Sequence, residues 1–185
     1  MHEHREETPL KVVYFSWDDW DALWILTNYQ LNENGIEGPI DDIPPRGMNV
    51  GRDGYEWDFH HIEEIYLSGE GGFWIAYWDG DPTGFVGGQD LDGVLELRHM
   101  YVRAEYRQRG IGTRLVQALI DHAKTHQVKA VELWTAPDDL GRILYSKLGF
   151  KVVEKPFMNL EELIYRMNRA PGEGEIRMRL DIMSK

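Results

Sequence analysis

Apolar residues recur along this chain with two different periods, and the changes of period predict where strands and helices lie. Between Glu175 and Ile182 apolar and polar residues alternate one by one, which predicts a half-buried strand. Between Ile111 and Ala123 apolar residues recur three and four positions apart, which predicts a helix with one buried face. Segments rich in Gly, Pro and Asp separate such runs and predict turns. The chain is therefore expected to mix strands and helices.

The full pattern predicts an ordered series of strands and helices. Strands are expected at 10–15, 73–78, 84–88, 94–102, 131–134, 150–154 and 176–182, and helices at about 17–31, 57–67, 111–123, 139–148 and after 159. The strand at 94–102, the following helix and the strand at 131–134 form a crossover, so these two strands should be parallel. The expected fold class is a mixed α/β or α+β sandwich of three layers, whose mostly antiparallel sheet contains one parallel pair and is flanked by helices.

Particular residues mark where these elements begin and end. Ser16 and Asn159 have side chains that cap helix starts, and Gly149 can take the left-handed conformation that ends a helix. Residues 35–54 are rich in Gly and Pro and show no usable period. A connection of this length inside a compact domain is expected to be either functional or mobile.

Composition narrows the classes of function. The 185 residues fit one domain, which is expected to span 1–185. The absence of Cys excludes disulfides, thiol nucleophiles and Cys-bound metals, and it fits a reducing cytoplasm. The net charge of -12 argues against general nucleic-acid binding. The charged start from Met1 to Glu7 does not resemble a signal peptide, and no apolar run approaches the roughly 20 residues that cross a bilayer, so no membrane contact is expected.

One short region reverses the acidic balance of the chain. Between 98 and 114 a single acid, Glu105, accompanies five arginines, namely Arg98, Arg103, Arg107, Arg109 and Arg114. The run from Arg107 to Thr113 lies between a strand end and a helix start, where free amides and the helix dipole favour phosphate. Gly110 and Gly112 have no Cβ and let a ligand approach the main chain closely. The run therefore predicts a bound pyrophosphate.

This run differs from two common phosphate-binding loops. No Gly-Lys-Ser/Thr follows it, as a Walker loop requires, and Leu115 stands where a dinucleotide fingerprint has its third Gly. Arg107, Gly110 and Gly112 instead resemble the Arg/Gln-x-x-Gly-x-Gly/Ala signature of the GNAT (Gcn5-related N-acetyltransferase) family, and a strand precedes them as that family requires. The segment from Leu144 to Phe150 is similar to the family's later helix-to-strand motif, at a typical distance from the first.

The resemblance implies a GNAT-type fold with a cofactor core at about 73–154 and acceptor-side segments at about 16–67 and 156–174. It implies an acyltransferase that moves an acetyl group from acetyl-CoA directly to a primary amine of a small molecule or protein, without a metal. One alternative is a CoA-binding sensor or regulatory module without efficient transfer. Another is an interaction domain whose Gly-rich loop binds no nucleotide.

The resemblance also assigns cofactor-binding positions. Main-chain groups of the strand before the loop are expected to pair with the pantetheine arm, and the loop amides are expected to hold the pyrophosphate. The strand positions are Met100, Tyr101 and Val102, and the loop positions are Arg107, Gln108, Arg109, Gly110, Ile111, Gly112 and Thr113. Asp138 stands where relatives often have an Asn that contacts the cofactor, and capping of the following helix is its alternative role.

Two side chains are candidates for catalysis. Tyr145 matches the position whose hydroxyl, in many relatives, meets the cofactor sulfur and can protonate the departing thiolate. Its alternative is a packed aromatic on an apolar helix face. Glu96 matches a position that supplies a general base in some relatives, and a water relay is the other source of that base. Glu96 is also placed to form a salt bridge with Arg98 or another neighbour.

The sequence constrains the acceptor substrate and the oligomeric state less than it constrains the cofactor site. Residues 33–64 contain nine acidic side chains and two basic ones. An acceptor cleft lined by this segment would favour a cationic acceptor. The acids are Glu33, Glu37, Asp41, Asp42, Asp53, Glu56, Asp58, Glu63 and Glu64. His60 and His61 are adjacent and do not share a helix face, so surface positions rather than metal ligation are expected. Many relatives form dimers, and an exposed edge of the last strand would offer a pairing surface for a homodimer.

Overall fold

The computed structural model describes residues 9–52, 56–155 and 157–183, so the charged N-terminal segment and Asp53 lie outside the described residues. The strands are β1 (Leu10–Tyr14), β2 (Gly72–Trp78), β3 (Asp81–Asp90), β4 (Val94–Val102), β5 (Ala130–Thr135), β6 (Lys151–Val153) and β7 (Ile176–Asp181). The helices are α1 (Trp20–Glu33), α2 (Trp57–His60), α3 (Ile62–Ile65), α4 (Ile111–Thr125), α5 (Leu140–Lys147) and α6 (Leu160–Met167). None of these helices combines the length and the apolar character that crossing a bilayer requires.

The described strands form one sheet in the order β1-β2-β3-β4-β5-β7-β6, and among them only β4 and β5 are parallel. This confirms the predicted fold class, with its antiparallel meander and single parallel pair. The proposed edge for a homodimer is wrong, because β7 lies between β5 and β6. The strand at that edge of the sheet is the three-residue β6.

Most predicted element ends agree with the structure, and the exceptions have local causes. Asn159 caps α6 by accepting from the Glu162 amide at 3.0 Å, and Gly149 takes a φ of +96° after α5, as predicted. The single helix predicted at 57–67 is instead α2 and α3, separated at His61. The His61 ring stacks on Trp57 at 4.6 Å, and its Nδ1 lies 2.7 Å from the Trp57 carbonyl oxygen.

Each face of the sheet has its own apolar core. Helix α4 covers one face, where Leu115 and Leu119 are fully buried against β2, β3 and β4. Helices α1, α2 and α3 cover the other face with a mainly aromatic cluster that includes Phe59, Tyr66 and Phe73. The loop after α1 is attached to that helix, because the Asn28 side-chain amide donates to the Ile40 and Asp42 carbonyls at 3.1 and 3.0 Å. The two faces are therefore chemically different surroundings for β4.

The parallel pair β4–β5 is short and leaves a gap. Its register covers only Val94–Glu96 against Ala130–Glu132. Strand β4 continues to Val102 alongside β3, and β5 continues to Thr135 alongside β7. Beyond Glu96 and Glu132 these two described strands are not paired with each other. We call this opening the β4–β5 gap.

A buried ion network marks the closed end of the β4–β5 gap. Arg177 on β7 donates to both carboxylate oxygens of Glu96, at 2.7 and 2.6 Å, and its Nε donates to Glu132 at 2.9 Å. Glu96 and Glu132 are 0% exposed and Arg177 is 3% exposed. The alternation predicted for the last strand has the correct period, but Arg177 is not on a solvent-facing side. It is buried because two carboxylates on neighbouring strands require a cation there.

Burial dominates the ionisation of Glu96. Removal from water disfavours its charged form and raises its pKa to about 7, although Arg177 opposes this shift. The Glu132 carboxylate adds to the increase. Because the folded pKa exceeds the unfolded one, ionisation of Glu96 reduces stability as pH rises from about 4.5 to about 7. Arg177 limits that loss by compensating two buried negative charges.

We expect Arg177→Met to be strongly destabilising. The substitution keeps an unbranched side chain but leaves Glu96 and Glu132 buried without their common cation, and such a loss typically costs about 3–5 kcal/mol. The free energy of unfolding at pH 7.5, from urea denaturation followed by tryptophan fluorescence, measures it.

The matched control is Arg169→Met, which removes an ion pair with Glu175 from a side chain that is 42% exposed. Exposed pairs contribute roughly 0–1 kcal/mol, so this variant should unfold at nearly the same urea concentration as the unaltered protein. Equal losses of stability in the two variants would contradict the structural role assigned to the buried network.

Candidate acyl-transfer site

The start of α4 presents a run of unpaired amides. Gln108 and Gly110 both have left-handed backbone conformations, with φ of +62° and +79°. The first amide of α4 that finds a backbone acceptor is that of Arg114, which donates to the Gly110 carbonyl at 3.1 Å. The six amides from Gln108 to Thr113 have no acceptor among the described residues. An anion is the natural partner for such a run at a helix N-terminus.

Gly112 allows α4 to approach its neighbours closely. A Cβ at this position would lie 3.0 Å from the Met100 Cε and 3.4 Å from the Leu144 Cδ2. The helix start therefore packs directly against β4 and α5, beside the β4–β5 gap. Gly110 has open space around its Cβ direction, so its left-handed conformation is the reason for glycine there.

The five arginines predicted to form an anion site do not act together. Arg98 lies on the other face of the sheet, where it bonds Gln89 and approaches Asp58. Arg103 is paired with Glu105, and Arg107 is paired with Glu33 while its Nε donates to the Val102 carbonyl at 2.9 Å. Three of the five guanidinium charges are thus paired with carboxylates of the protein itself. Two arginines, Arg109 and Arg114, have no carboxylate partner among the described residues.

Arg109 lies against aromatic rings rather than an acid. Its guanidinium is 5.2 Å from the ring centres of both Trp78 and Tyr106. Stacking of this kind holds the charge near the loop without neutralising it. Arg109 therefore supplies positive charge next to the unpaired amides.

The β4 positions predicted to hold the pantetheine arm lie along the β4–β5 gap. Met100, Tyr101 and Val102 follow the last parallel pair and do not pair with β5. Tyr101 and Val102 pair with β3, whereas Met100 lies at a register shift of that ladder. The Met100 and Val102 side chains pack in the core under α4, while Tyr101 lies in the opposite core and donates to Glu33 at 2.6 Å. Their side chains are anchored, so their main chain is the part left to bind a ligand.

Tyr145 lies on α5 with its ring in the core. It is 6% exposed, and its ring packs edge-on against Phe150 at 5.8 Å. A Cβ at Gly141 would lie 3.2 Å from this ring, so glycine leaves room for it one turn earlier. Burial, with the Asp139 charge as a smaller cause, raises the pKa of Tyr145 above its ordinary value. The hydroxyl therefore stays protonated at neutral pH and is available as a donor.

The structure does not show the capping role of Asp138, but it confirms the alternative for Glu96, a salt bridge with a neighbouring residue. Asp138 does not cap α5, because Asp139 accepts from the Gly141 amide at 3.0 Å and takes the cap position. Asp138 is exposed immediately before this cap. Both carboxylate oxygens of Glu96 accept from Arg177, so direct access of an amine to Glu96 would require that pair to open.

A second polar cluster, which the sequence did not reveal, lies on the opposite face of β4. Asp58 on α2 is 4% exposed, and its Oδ2 is the meeting point of His99 Nε2, the Tyr66 hydroxyl at 2.8 Å and Arg98 Nη2 at 3.4 Å. Asp58 is one of the nine acids between 33 and 64, and its sequence neighbours Trp57 and Phe59 do not indicate a buried polar partner.

The cluster controls the ionisation of Asp58. Burial would raise its pKa, but His99, Arg98 and Tyr66 together hold the pKa of this carboxyl well below its usual range. Asp58 is therefore a buried anion across the physiological range.

The predicted surface positions of the adjacent histidines are only partly correct. The His60 ring is half-buried and packs against Trp24 at 5.0 Å, and His61 is half-buried on Trp57. Within the residues described by the structure, no group of three or more His, Asp or Glu side chains is arranged to hold a metal ion.

Comparison with known proteins agrees with this geometry. The profile of the acetyltransferase (GNAT) family matches residues 41–150. The protein named Probable N-acetyltransferase camello, from Xenopus tropicalis, is 40% identical over 99 residues, which cover 51% of this chain and 45% of that protein. The chain spans about half the length of the curated relatives it matches.

Solved structures share the fold across nearly the whole chain. A GNAT-family acetyltransferase from Staphylococcus aureus Mu50 superposes with a TM-score of 0.68 at 21% identity, covering 94% of this chain and 99% of that one. A protein from Salmonella typhimurium, determined with its cofactor acetyl-CoA, superposes with a TM-score of 0.61 at 15% identity and covers 96% of each chain. The family profile extends over more than half of the residues, and the chain belongs to the acetyltransferase (GNAT) family.

Proposed function

We propose that this protein transfers an acetyl group from acetyl-CoA to an amine nitrogen. The observation that carries the proposal is the β4–β5 gap with six unpaired amides at its edge, in a chain of the GNAT family. The structural relative that was determined with acetyl-CoA supports the same co-substrate.

The residues present fit acetyl-CoA. The amides from Gln108 to Thr113 would hold the pyrophosphate, and Arg109 would add charge beside it. The main chain of Met100, Tyr101 and Val102 would bind the pantetheine arm as an added strand does, because β4 lacks a partner on that side. Asp138 is exposed just before α5, and its negative charge would not favour binding of an anionic ligand there.

The protein's own part in the chemistry is to orient two reactants and to move protons. Bound acetyl-CoA would supply a thioester whose carbonyl carbon an amine can attack. A lysine-like amine has a pKa of about 10.4 and must lose a proton before it is nucleophilic. Tyr145 is the proposed donor to the departing thiolate, while Glu96 as the base remains a prediction that its pairing with Arg177 does not favour.

The charge that would select a cationic acceptor is smaller than the sequence count indicates. Glu33 is paired with Arg107, Asp58 with His99 and Arg98, and Glu63 accepts from the Trp17 indole at 2.8 Å. The remaining acids of the loop after α1, such as Asp41 and Asp42, are exposed. A panel of acceptors must therefore include neutral and acidic amines beside cationic ones.

The direct test is release of free CoA thiol from acetyl-CoA in the presence of polyamines, aminoglycosides, amino acids and lysine peptides. We expect release above the amine-free rate with at least one of these classes. A clear thermal shift with acetyl-CoA but no release with any amine would instead support a CoA-binding sensor.

Gly112→Glu should greatly weaken the binding of CoA. The new side chain enters the space occupied by Met100 and Leu144 and places a negative charge among the amides that would hold phosphate. We expect the dissociation constant, measured by isothermal titration calorimetry, to rise by at least about 100-fold, since both charge and packing oppose the ligand.

Gly38→Glu is the matched control for this charge change, because no atom lies within 4 Å of its Cβ direction. It should bind CoA as the unaltered protein does. Unchanged CoA affinity in a folded Gly112→Glu variant would show that the pyrophosphate binds elsewhere.

Tyr145→Phe should slow transfer without weakening CoA binding. The ring that packs on Phe150 is retained, and only the donor hydroxyl is removed. A positioned general acid contributes about 10²–10⁴-fold, so kcat should fall by at least about 100-fold with little change in CoA affinity. Steady-state kinetics with the best amine of the panel give both values.

Tyr14→Phe removes a hydroxyl from the edge strand β1 and should leave kcat unchanged. If Tyr145→Phe also keeps its kcat, Tyr145 is a packed aromatic and the thiolate takes its proton from elsewhere.

A further inference from the structure

One strand irregularity places a histidine where β4 begins to line the β4–β5 gap. Phe85 pairs with Tyr101 and Gly87 pairs with Arg98, so β4 has one more residue than β3 between these pairs. The extra residue forms a bulge at His99 and Met100, and His99 takes a φ of +52°. Residues other than glycine are uncommon in this left-handed conformation, although His tolerates it better than most, and such positions cluster at functional sites.

The bulge changes which face of the sheet His99 occupies. Leu97 and Met100 pack in the core under α4, so strict alternation from Leu97 would direct residue 99 toward that core as well. The extra residue instead puts both Arg98 and His99 on the opposite face, against Asp58. Helices α1, α2 and α3, which belong to the proposed acceptor side, cover this face.

Asp58 fixes one side of the His99 ring. Its carboxylate contacts His99 Nε2, and an ionised carboxylate only accepts hydrogen bonds, so Nε2 carries a hydrogen. The ring also packs on Phe59 with centres 4.5 Å apart. Its Nδ1 has no hydrogen-bond partner among the described residues, and the side chain is 22% exposed. In the neutral form of the ring, Nδ1 is therefore the nitrogen without a hydrogen.

We propose that His99, oriented by Asp58, is the general base that takes a proton from the acceptor amine. This assignment rests on the proposed acetyl transfer. It identifies the general base as His99, where the sequence indicated either Glu96 or a water relay. One N–H bond of the ammonium breaks, an Nδ1–H bond forms, and the proton then leaves to solvent. The amine nitrogen keeps the electron pair and becomes nucleophilic beside Met100.

The charged groups around His99 are compatible with this role. Asp58 from α2 stabilises the imidazolium that forms, and Arg98 from β4 and the Tyr66 hydroxyl after α3 share the same carboxylate oxygen. Arg98 and the Tyr66 hydroxyl favour the ionised form of Asp58 whether or not the imidazole carries the second proton. Glu96, by contrast, is fully buried with both of its oxygens bound to Arg177.

The test without substrates is the tautomer of His99. Long-range proton–nitrogen NMR of the imidazole at pH 8.5, assigned with His99→Asn, should show the hydrogen on Nε2 and a bare Nδ1. Asp58→Asn should release this preference. A hydrogen on Nδ1 in the unaltered protein would overturn the proposal.

The kinetic test compares His99→Asn with His126→Asn between pH 6 and 9, using the best amine of the panel. Asn tolerates the left-handed conformation at residue 99, and His126 is an exposed histidine at the end of α4. We expect His99→Asn to lower kcat/KM for the amine by about 10²–10⁴-fold at pH 7.5 and to remove the acid limb of the pH profile. His126→Asn should change neither.

The thermal shift with CoA should be the same in both variants, which separates loss of the base from loss of cofactor binding. An unaltered kcat/KM and pH profile in folded His99→Asn would overturn the assignment while leaving acetyl transfer intact. An unaltered protein that transfers acetyl to no amine would overturn the proposed function and this assignment with it.

Discussion

The site depends on where β4 and β5, the one parallel pair among the described strands, stop pairing. Arg177 bridges Glu96 on β4 and Glu132 on β5 at the last paired residues, and beyond them each strand keeps only its outer neighbour. Two buried carboxylates side by side would repel, so the common guanidinium is what allows the strands to lie together at this point. The network therefore fixes the closed end of the β4–β5 gap in which the thioester is proposed to lie.

The two faces of β4 have different proposed roles. On one face, α4 packs closely through Gly112 and presents its unpaired amides next to the gap. On the other face, the bulge at His99 turns a polar side chain toward Asp58 and the acceptor-side helices. A regular β4 would not serve both purposes, because alternation would bury His99 under α4. The strain of a left-handed His99 is the local cost of this arrangement.

Local patterns in the sequence were sufficient to predict the fold and the loop that leads into α4. The patterns were the apolar period of α4, the turn residues around β3 and the spacing of Gly110 and Gly112. Each extends over only a few residues, so it can be recognised without knowledge of the tertiary structure. The partners of charged residues did not follow from sequence. Arg177 lies 81 positions from Glu96, and Asp58 lies 41 positions from His99. Such pairs depend on strand order and on a bulge, and neither leaves a periodic signal.

The central claim is that acetyl-CoA binds along the β4–β5 gap with its pyrophosphate on the start of α4. Hydrogen–deuterium exchange of the whole protein, with and without CoA, tests it at the level of single amides. The account predicts that exchange slows at Gln108 to Thr113 and along Met100 to Val102 when CoA is present. Unchanged exchange in both segments, with new protection elsewhere in a protein that binds CoA, would contradict it.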